Sequence, residues 1–279
     1  MLGSIVSFSL MAIAGRIVAA THDTFELLGY RSIVTVAILV AFAAWKGRLS
    51  DLRTRNLAGH LTRNTMHFVG QNLWFWSLTA IPLAQVFALE FTAPIWVILL
   101  SAVFLGEALT RWRLMAAVLG FAGTLVVAQP DFRHIEPGVL AAAGSALFFA
   151  ATIILTKRLT RGETVLGILF WLGVMQAALG LAAAAADLHM TLPTWQSVPW
   201  LVLLGAVGFF GHFCVTSALS LAPAGLVMPI DFGRLPLIAV VGAVFWGESI
   251  TLALLAGAAL IVAGNWLNLR APAGEKVSA

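Results

Sequence analysis

Long apolar stretches, each of about 20 residues and separated by short hydrophilic breaks, run through almost the whole 279-residue chain. At a rise of about 1.5 Å per residue, a helix of this length crosses the roughly 30 Å hydrocarbon core of a bilayer. Apolar residues make up 61% of the chain and charged residues 10%, against about 45–50% and 25% in soluble domains. The pattern therefore predicts an all-α, polytopic membrane protein.

The hydrophilic breaks divide the chain into ten predicted spans, at roughly 2–20, 25–45, 60–80, 83–105, 110–129, 137–157, 164–186, 198–220, 224–246 and 250–269. Lys and Arg concentrate in alternate breaks, those that follow spans two, four, six and ten. Because basic residues are in excess in cytoplasmic loops, both termini are predicted to be cytoplasmic, which requires an even number of spans. The basic residues form no single patch, so we expect no nucleic-acid partner.

A repeat relates the two halves of the sequence at a constant offset of 141 residues, and it aligns AVFLGEALT (102–110) with AVFWGESIT (243–251) without a gap. The same offset pairs Pro82 with Pro223, Arg16 with Lys157, and Glu90 with Asp231. Each half, 1–130 and 131–279, then holds five spans, an odd number, so the second half enters the membrane in the opposite orientation. Two inverted five-helix repeats are typical of secondary transporters, which open one midplane site alternately to each side.

With these features the chain resembles the drug/metabolite transporter superfamily, specifically its EamA-type ten-helix members. The resemblance covers nearly the whole chain. It rests on the five-span halves, the proline near the start of spans four and nine, and the Gly-Glu pairs that close them, Gly106-Glu107 and Gly247-Glu248. It implies an inner-membrane carrier for small organic metabolites, often an exporter, with a central cavity lined chiefly by spans 1, 3, 4, 6, 8 and 9.

Two acids lie inside predicted spans, Glu90 in FALEFTAPIWV and Asp231 in VMPIDFGRLPL. A charge at the centre of a membrane helix costs about 2.5–3.5 kcal/mol on insertion scales, so both acids are expected to face protein or water. One interpretation is functional: they take up a proton or meet a cationic group of the substrate. The other is structural, because Asp231 and Arg234 stand at i and i+3 and can bridge each other. Glu90 has no such partner nearby in sequence.

Arg234 lies between Gly233 and Pro236, which weaken the helix at membrane depth. Irregular backbone is tolerated at that depth where it lines a cavity. The guanidinium is suited to hold a carboxylate or phosphate of the cargo, or to neutralise Asp231. Both hypotheses are kept.

Predicted span three carries a polar stripe with spacings of 4, 3, 4 and 3, which places on one helix face His60, Asn64, His67, Gln71 and Trp74. Because lipid excludes such a face, we expect it to turn inward, with His60 and Asn64 at the cytoplasmic mouth. The offset pairs Gln71 with His212, so the deeper residues and His212 are predicted to form a cavity wall. A neutral histidine bonded to a backbone carbonyl is the structural alternative.

Residues near span ends are interpreted structurally. Glu107 and Glu248 each follow a glycine and are predicted to hold turns ahead of a threonine that begins the next helix. Three basic side chains are able to snorkel to the interface and are left without a role: Arg16, Arg31 and Lys157. Four glycines are expected to allow close helix packing: Gly120, Gly123, Gly257 and Gly264.

The sequence contains no HExxH, GxSxG, Walker or CxxC motif, so we expect no enzyme, no nucleotide-driven pump, no metal and no cofactor. The repeat favours a secondary transporter of small polar or zwitterionic metabolites, with proton coupling left open. An intramembrane enzyme acting on a lipid-linked substrate and a membrane scaffold are the alternatives. The expected partners are a small-molecule substrate and the lipid bilayer, and a homodimer is left open.

Overall fold

The computed structural model describes residues 1–107, 110–128, 136–186, 190–247 and 249–270, which contain helices and turns but no strand. The α-helices are α1 (Leu2–Val18), α2 (Thr24–Trp45), α3 (Leu57–Ala80), α4 (Leu83–Glu90), α5 (Ala93–Leu105), α6 (Arg111–Ala128), α7 (Pro137–Leu159), α8 (Val165–Ala185), α9 (Val198–Leu221), α10 (Ala224–Val227), α11 (Arg234–Trp246) and α12 (Leu252–Arg270). Short 3-10 helices cover Leu49–Leu52 and Met228–Gly233.

The ten predicted spans agree with these helices to within a few residues, but two of them are broken. Span four consists of α4 and α5, which separate after Glu90. Pro94 lies in the first turn of α5, and in a continuous helix its ring would clash with the carbonyl of Glu90. Span nine consists of α10, the second 3-10 helix and α11. The sequence predicted this second break, from Gly233 and Pro236, but not the first.

The protein is a multi-pass membrane protein. Among the described residues, the segments long and apolar enough to cross a membrane are Thr24–Trp45, Gln85–Leu105, Pro137–Leu159, Val165–Ala185 and Val198–Leu221. Shorter apolar helices cover Leu2–Val18, Leu114–Val127 and Leu252–Gly264. Large apolar side chains such as Val103, Val244 and Phe245 point outward, where a bilayer would cover them.

The helices pack in pairs that the 141-residue offset exchanges. α3 packs along α7, and their counterparts in the other half, α9 and α1, pack along each other. α2 packs on α8 and α6 packs on α12, and the offset turns each of these pairs into itself. A two-fold relation between the halves has this property, because it carries every contact onto its counterpart. With an odd number of spans in each half, the fold is one of two inverted five-helix repeats.

Glycines bring α6 and α12 into close contact. A Cβ on Gly123 would lie 2.6 Å from the carbonyl oxygen of Gly257, and one on Gly264 would lie 2.8 Å from that of Ala116. These two contacts are counterparts under the offset. A Cβ on Gly120 would meet only ordinary van der Waals contacts, the nearest at 3.7 Å. The prediction of close packing is therefore confirmed for three of the four glycines.

Candidate functional site

A cavity of about 90 Å³ lies between the two halves at the level of the helix breaks. Its lining comes from α1, α3, α4 with α5, α7, α9, and the 3-10 helix with α11, which are the six spans that the family resemblance implied. A space of this size holds several water molecules. The structure brings together in this cavity all seven residues predicted to bind substrate or protons: His67, Gln71, Trp74, Glu90, His212, Asp231 and Arg234.

Arg234 joins acids from both halves into one buried cluster. Its Nη2 donates to Oε1 of Glu90 at 2.9 Å, and also to Oδ2 of Asp231. Trp74 Nε1 donates to the other carboxylate oxygen of Glu90, at 2.7 Å. The four residues are at most 9% exposed. With both carboxylates ionised, the cluster carries two negative charges against one positive charge.

Asp231 forms the ion pair with Arg234 that the structural interpretation of the sequence predicted. It also supplies the partner that Glu90 lacks in the nearby sequence, because Arg234 reaches across from the opposite half. One oxygen, Oδ1 of Asp231, is buried and has no hydrogen-bond partner within the described part of the chain. That oxygen is therefore available to accept a hydrogen bond from a bound molecule.

The breaks in spans four and nine position these charged groups. Glu90 is the last residue of α4, Asp231 lies in the 3-10 helix, and Arg234 opens α11. The carbonyl of Leu89 accepts from both the hydroxyl and the backbone N–H of Thr92, at 2.8 and 3.0 Å, just after the first break. Irregular backbone at membrane depth is tolerated where it lines a cavity, and both breaks do so.

The polar faces of α3 and α9 meet across the cavity. The rings of His67 and His212 are in edge contact, with centroids 5.0 Å apart. Neither ring nitrogen of His67 has a hydrogen-bond partner among the residues that the structure describes. The structural alternative, a histidine bonded to a backbone carbonyl, is therefore wrong for His67.

Arg63, which lies just inside predicted span three, is a cavity residue that the sequence analysis did not select. It is 2% exposed and lines the cavity. Its Nε donates to the Thr156 hydroxyl at 3.0 Å and its Nη1 to Oδ1 of Asn64 at 2.7 Å. The available signal was its position four residues before His67, which places it on the inward face of α3.

Two of the three basic residues that were left without a role make hydrogen bonds inside the protein. Arg31 is 4% exposed and its Nη2 donates to Oε1 of Gln71 in the interior. Lys157 Nζ donates to the carbonyls of Leu219 and Ala222, at 2.7 and 2.9 Å, and so caps the end of α9. The contacts with neighbouring helices could not be derived from the distance of these residues to a span end.

The carboxylate of Glu107 reaches beyond its own turn. Gly106 ends α5 in the left-handed conformation, with φ 69°. One carboxylate oxygen of Glu107 accepts from the backbone N–H of Ala224, at 3.2 Å, and so contacts the first residue of α10 in the other half. Glu248, predicted for the corresponding turn, lies outside the described residues, and its role stays a prediction.

His60, the first residue of the polar stripe on α3, contacts the loop before α8 and does not line the cavity. His60 Nε2 lies 3.8 Å from a carboxylate oxygen of Glu163. Glu163 also accepts from the Thr54 hydroxyl and from the backbone N–H groups of Arg55 and Asn56, at 2.9 to 3.1 Å. Burial raises the pKa of Glu163, but the hydrogen bonds and His60 together outweigh it, so that the pKa lies below its ordinary value.

Comparison with known proteins identifies relatives for both halves. The model of the EamA-like transporter family matches residues 1–129 and again 136–270. A riboflavin transporter of Rhizobium johnstonii is 33% identical over 80% of this chain and 73% of that protein. A riboflavin transporter of Brucella anthropi is 30% identical over 82% of each. An S-adenosylmethionine uptake transporter of Rickettsia bellii is 24% identical over 93% of this chain and 88% of the relative.

The fold is also found in a protein of known crystal structure. The TM-score is 0.77 over 95% of this chain and 93% of that one, at 21% sequence identity. This similarity shows the architecture, while the family and its named relatives bear on the function.

Proposed function

This chain belongs to the EamA-like transporter family, and on that premise we propose that it moves its cargo across the inner membrane by alternating access as a secondary transporter. Like its named relatives, it is a transporter of small metabolites; it is not an enzyme. The moving units are the two halves, 1–130 and 131–279. Export, which the resemblance implied, has no support, because the Rickettsia relative is named for uptake.

The observation that carries this proposal is the buried cluster of Glu90, Arg234 and Asp231, which joins the two halves inside the central cavity. Movement of one half against the other must break or rearrange these contacts. Breaking a buried ion pair is strongly unfavourable unless the charges left behind are neutralised. With both carboxylates ionised, the cluster has one excess negative charge, which one proton or one cationic group of the cargo balances. We propose that this neutralisation couples binding to the change of access.

The cargo in this proposal is a polar metabolite with a flat ring system. Aromatic side chains line the same cavity as the charged groups, among them Phe8, Trp74, Phe91 and Phe149. Aromatic faces favour stacking with planar rings, while the polar groups fix orientation. Riboflavin and S-adenosylmethionine, the compounds in the relatives' names, both contain such a ring system and are the first candidates.

The membrane topology is part of the proposal, with both termini in the cytoplasm. It is supported by the Lys and Arg residues in alternate breaks. In a background with Cys214→Ala, single cysteines at two exposed loop residues, Ser50 and Thr194, distinguish the orientations. In intact cells, a membrane-impermeant maleimide is expected to label the cysteine at 194 and not the one at 50. The reverse pattern would show the opposite orientation.

A homodimer is not needed, since one chain completes the cavity.

Flux into proteoliposomes tests the transport mechanism. Riboflavin and S-adenosylmethionine are measured in both directions under an imposed pH gradient, with the wild type, Glu90→Gln and Asp231→Asn. Each substitution is expected to reduce flux and to weaken its response to the gradient. Glu136→Gln, at an exposed acid without a side-chain cap hydrogen bond, is the matched control. If flux and its pH dependence survive both changes, Glu90 and Asp231 do not form the coupling site, although the proposal of transport itself stands.

If neither compound moves, an untargeted comparison of metabolites inside and outside cells, with and without the protein, identifies the cargo. A metabolite whose distribution depends on the protein then replaces the first candidates in the same flux assay.

A further inference from the structure

The acids of the cavity lining form one cluster with Arg234, and a further arginine of the lining, Arg63, lies outside that cluster. The two acids of the lining, Glu90 and Asp231, both pair with Arg234. Arg63 lines another part of the same cavity, and no carboxylate of the described residues forms an ion pair with it. Its two hydrogen bonds go to the neutral oxygens of Thr156 and Asn64. The guanidinium of Arg63 is therefore buried without a counter-charge from the described part of the chain.

A second uncompensated guanidinium lies behind the same wall. Arg31 donates to Oε1 of Gln71 and contacts the Met11 sulfur at 3.8 Å, and within the described ranges it likewise has no ion pair. Gln71 lines the cavity next to His67, so its amide connects Arg31 to the cavity wall. Histidine side chains are neutral or positive, never negative. Among the residues that the structure describes, this part of the cavity therefore presents positive charge and neutral dipoles only.

Burial of a guanidinium is unfavourable unless an opposite charge compensates it. Arginine is also the side chain whose forked donors match the oxygens of a carboxylate or a phosphate. We propose that Arg63, with Arg31 supporting it through Gln71, binds a carboxylate or phosphate group of the transported molecule. This inference rests on the proposed transport function and deepens it, because it fixes the charge of one end of the cargo. Of the two first candidates, S-adenosylmethionine carries a carboxylate and riboflavin carries neither group, so the inference favours S-adenosylmethionine or a phosphorylated flavin.

The same geometry orients the cargo along α3. Arg63 and Trp74 are 11 residues apart on this helix, which corresponds to about 16 Å. Trp74 is hydrogen-bonded to Glu90, so the buried cluster of Glu90, Arg234 and Asp231 lies at the end of the cavity opposite Arg63. A molecule that spans the cavity places its anionic group at Arg63, its ring among the aromatic side chains, and an N–H or O–H donor at Oδ1 of Asp231.

Anion binding is measured on the purified full-length protein in detergent, without any transport. Inorganic phosphate and acetate are titrated separately against sodium chloride of equal ionic strength, and thermal unfolding is followed. At least one of the two anions is expected to raise the Tm of the wild type in a saturable manner. Arg63→Gln should weaken this binding by about 30-fold or more, as loss of one partner of a buried charge pair does.

Arg158→Gln is the matched control, because Arg158 is an exposed residue in the last turn of α7, a helix that also lines the cavity. It should keep the full response to the anion. Arg63→Lys keeps the charge but loses the fork, so it should bind the anion with intermediate affinity, and it replaces Arg63→Gln if that variant does not fold. An anion response that is absent from the wild type, or equal in all variants, overturns the proposal.

Matched ligands test the same site with cargo-sized molecules. Flavin mononucleotide differs from riboflavin by a phosphate, and S-adenosylmethionine differs from its decarboxylated form by a carboxylate. The wild type is expected to bind the anionic member more tightly in at least one pair, and Arg63→Gln should lose that difference. Equal binding within both pairs overturns the proposal. Anion binding without flux of any metabolite would instead refute the transport function and leave the anion site standing.

Discussion

Replacement of Arg234 by glutamine would leave two carboxylates buried without a cation. The change removes the hydrogen bond to Glu90 at 2.9 Å and the one to Asp231. A hydrogen bond to a charged group contributes about 1.5–3 kcal/mol, so two of them give about 3–6 kcal/mol. This range agrees with the roughly 3–5 kcal/mol by which removal of one partner destabilises a buried ion pair. We therefore expect Arg234→Gln to lower the free energy of unfolding by about 3–5 kcal/mol.

Removal of all three charges separates the effect of pairing from that of packing. The variant Glu90→Gln/Asp231→Asn/Arg234→Gln shares the smaller side chain at residue 234 with the single variant but has no buried charge left unpaired, so it should recover most of the stability that the single change loses. Unfolding in a denaturing-detergent titration measures these differences, with Arg158→Gln as a surface control that should change stability by no more than about 0.5 kcal/mol. A single variant as stable as the wild type, or a triple variant as unstable as the single one, would refute the charge-pairing explanation.

Three further predictions concern packing, pH and the cavity. Gly257→Ala should destabilise the protein by about 1–3 kcal/mol, because its Cβ would lie 2.5 Å from the Gly123 carbonyl oxygen, whereas Gly120→Ala should be tolerated. Since the folded-state pKa of Glu163 is lowered, its ionised carboxylate stabilises the fold above the unfolded-state pKa, and this contribution is lost as pH falls through the folded-state pKa. Glu163→Gln should accordingly be less stable than the wild type at pH 7, and the difference should shrink in acid. Trp74→Phe removes a donor to a buried carboxylate and should cost about 1.5–3 kcal/mol, with reduced flux.

Thermal unfolding measured across a pH series tests all three stability predictions, and proteoliposome flux additionally tests the effect of Trp74→Phe on transport. Equal destabilisation by alanine at residues 257 and 120 would contradict the close contact of α6 and α12. A pH-independent effect of Glu163→Gln would show that its carboxylate does not act through its charge. An unchanged stability of Trp74→Phe would mean that the indole N–H contributes nothing to the cluster.

The sequence predicted the fold because the bilayer imposes its requirements on each span separately. A span must be about 20 residues long and apolar whatever its neighbours are, so hydropathy locates it before packing is known. The repeat then supplied the architecture, since five spans in each half force the inversion. The break after Glu90 was missed because Pro94 can either kink a continuous helix or open a new one, and local sequence does not decide between these outcomes.

The residues of the candidate site were predictable in type and depth, and their roles stay predictions. Ionisable side chains such as Glu90 and Asp231 cannot face lipid at low cost, so their position in an apolar span already directs them inward. The unpartnered appearance of Glu90 in sequence was misleading, because its cation comes from Arg234 in the opposite repeat. Sequence proximity carries no information about a contact between the halves.

The sequence by itself determined a membrane protein of two inverted halves with acids turned toward its centre, because lipid excludes charge and chain length sets the number of crossings. Only the tertiary structure decided which charges meet. Arg63 and Arg31 look in sequence like basic residues near span ends, yet the packing of neighbouring helices buries both, and no carboxylate in the described ranges pairs with either. Whether a long basic side chain reaches water depends on what packs around it, and that is a property of the assembled fold.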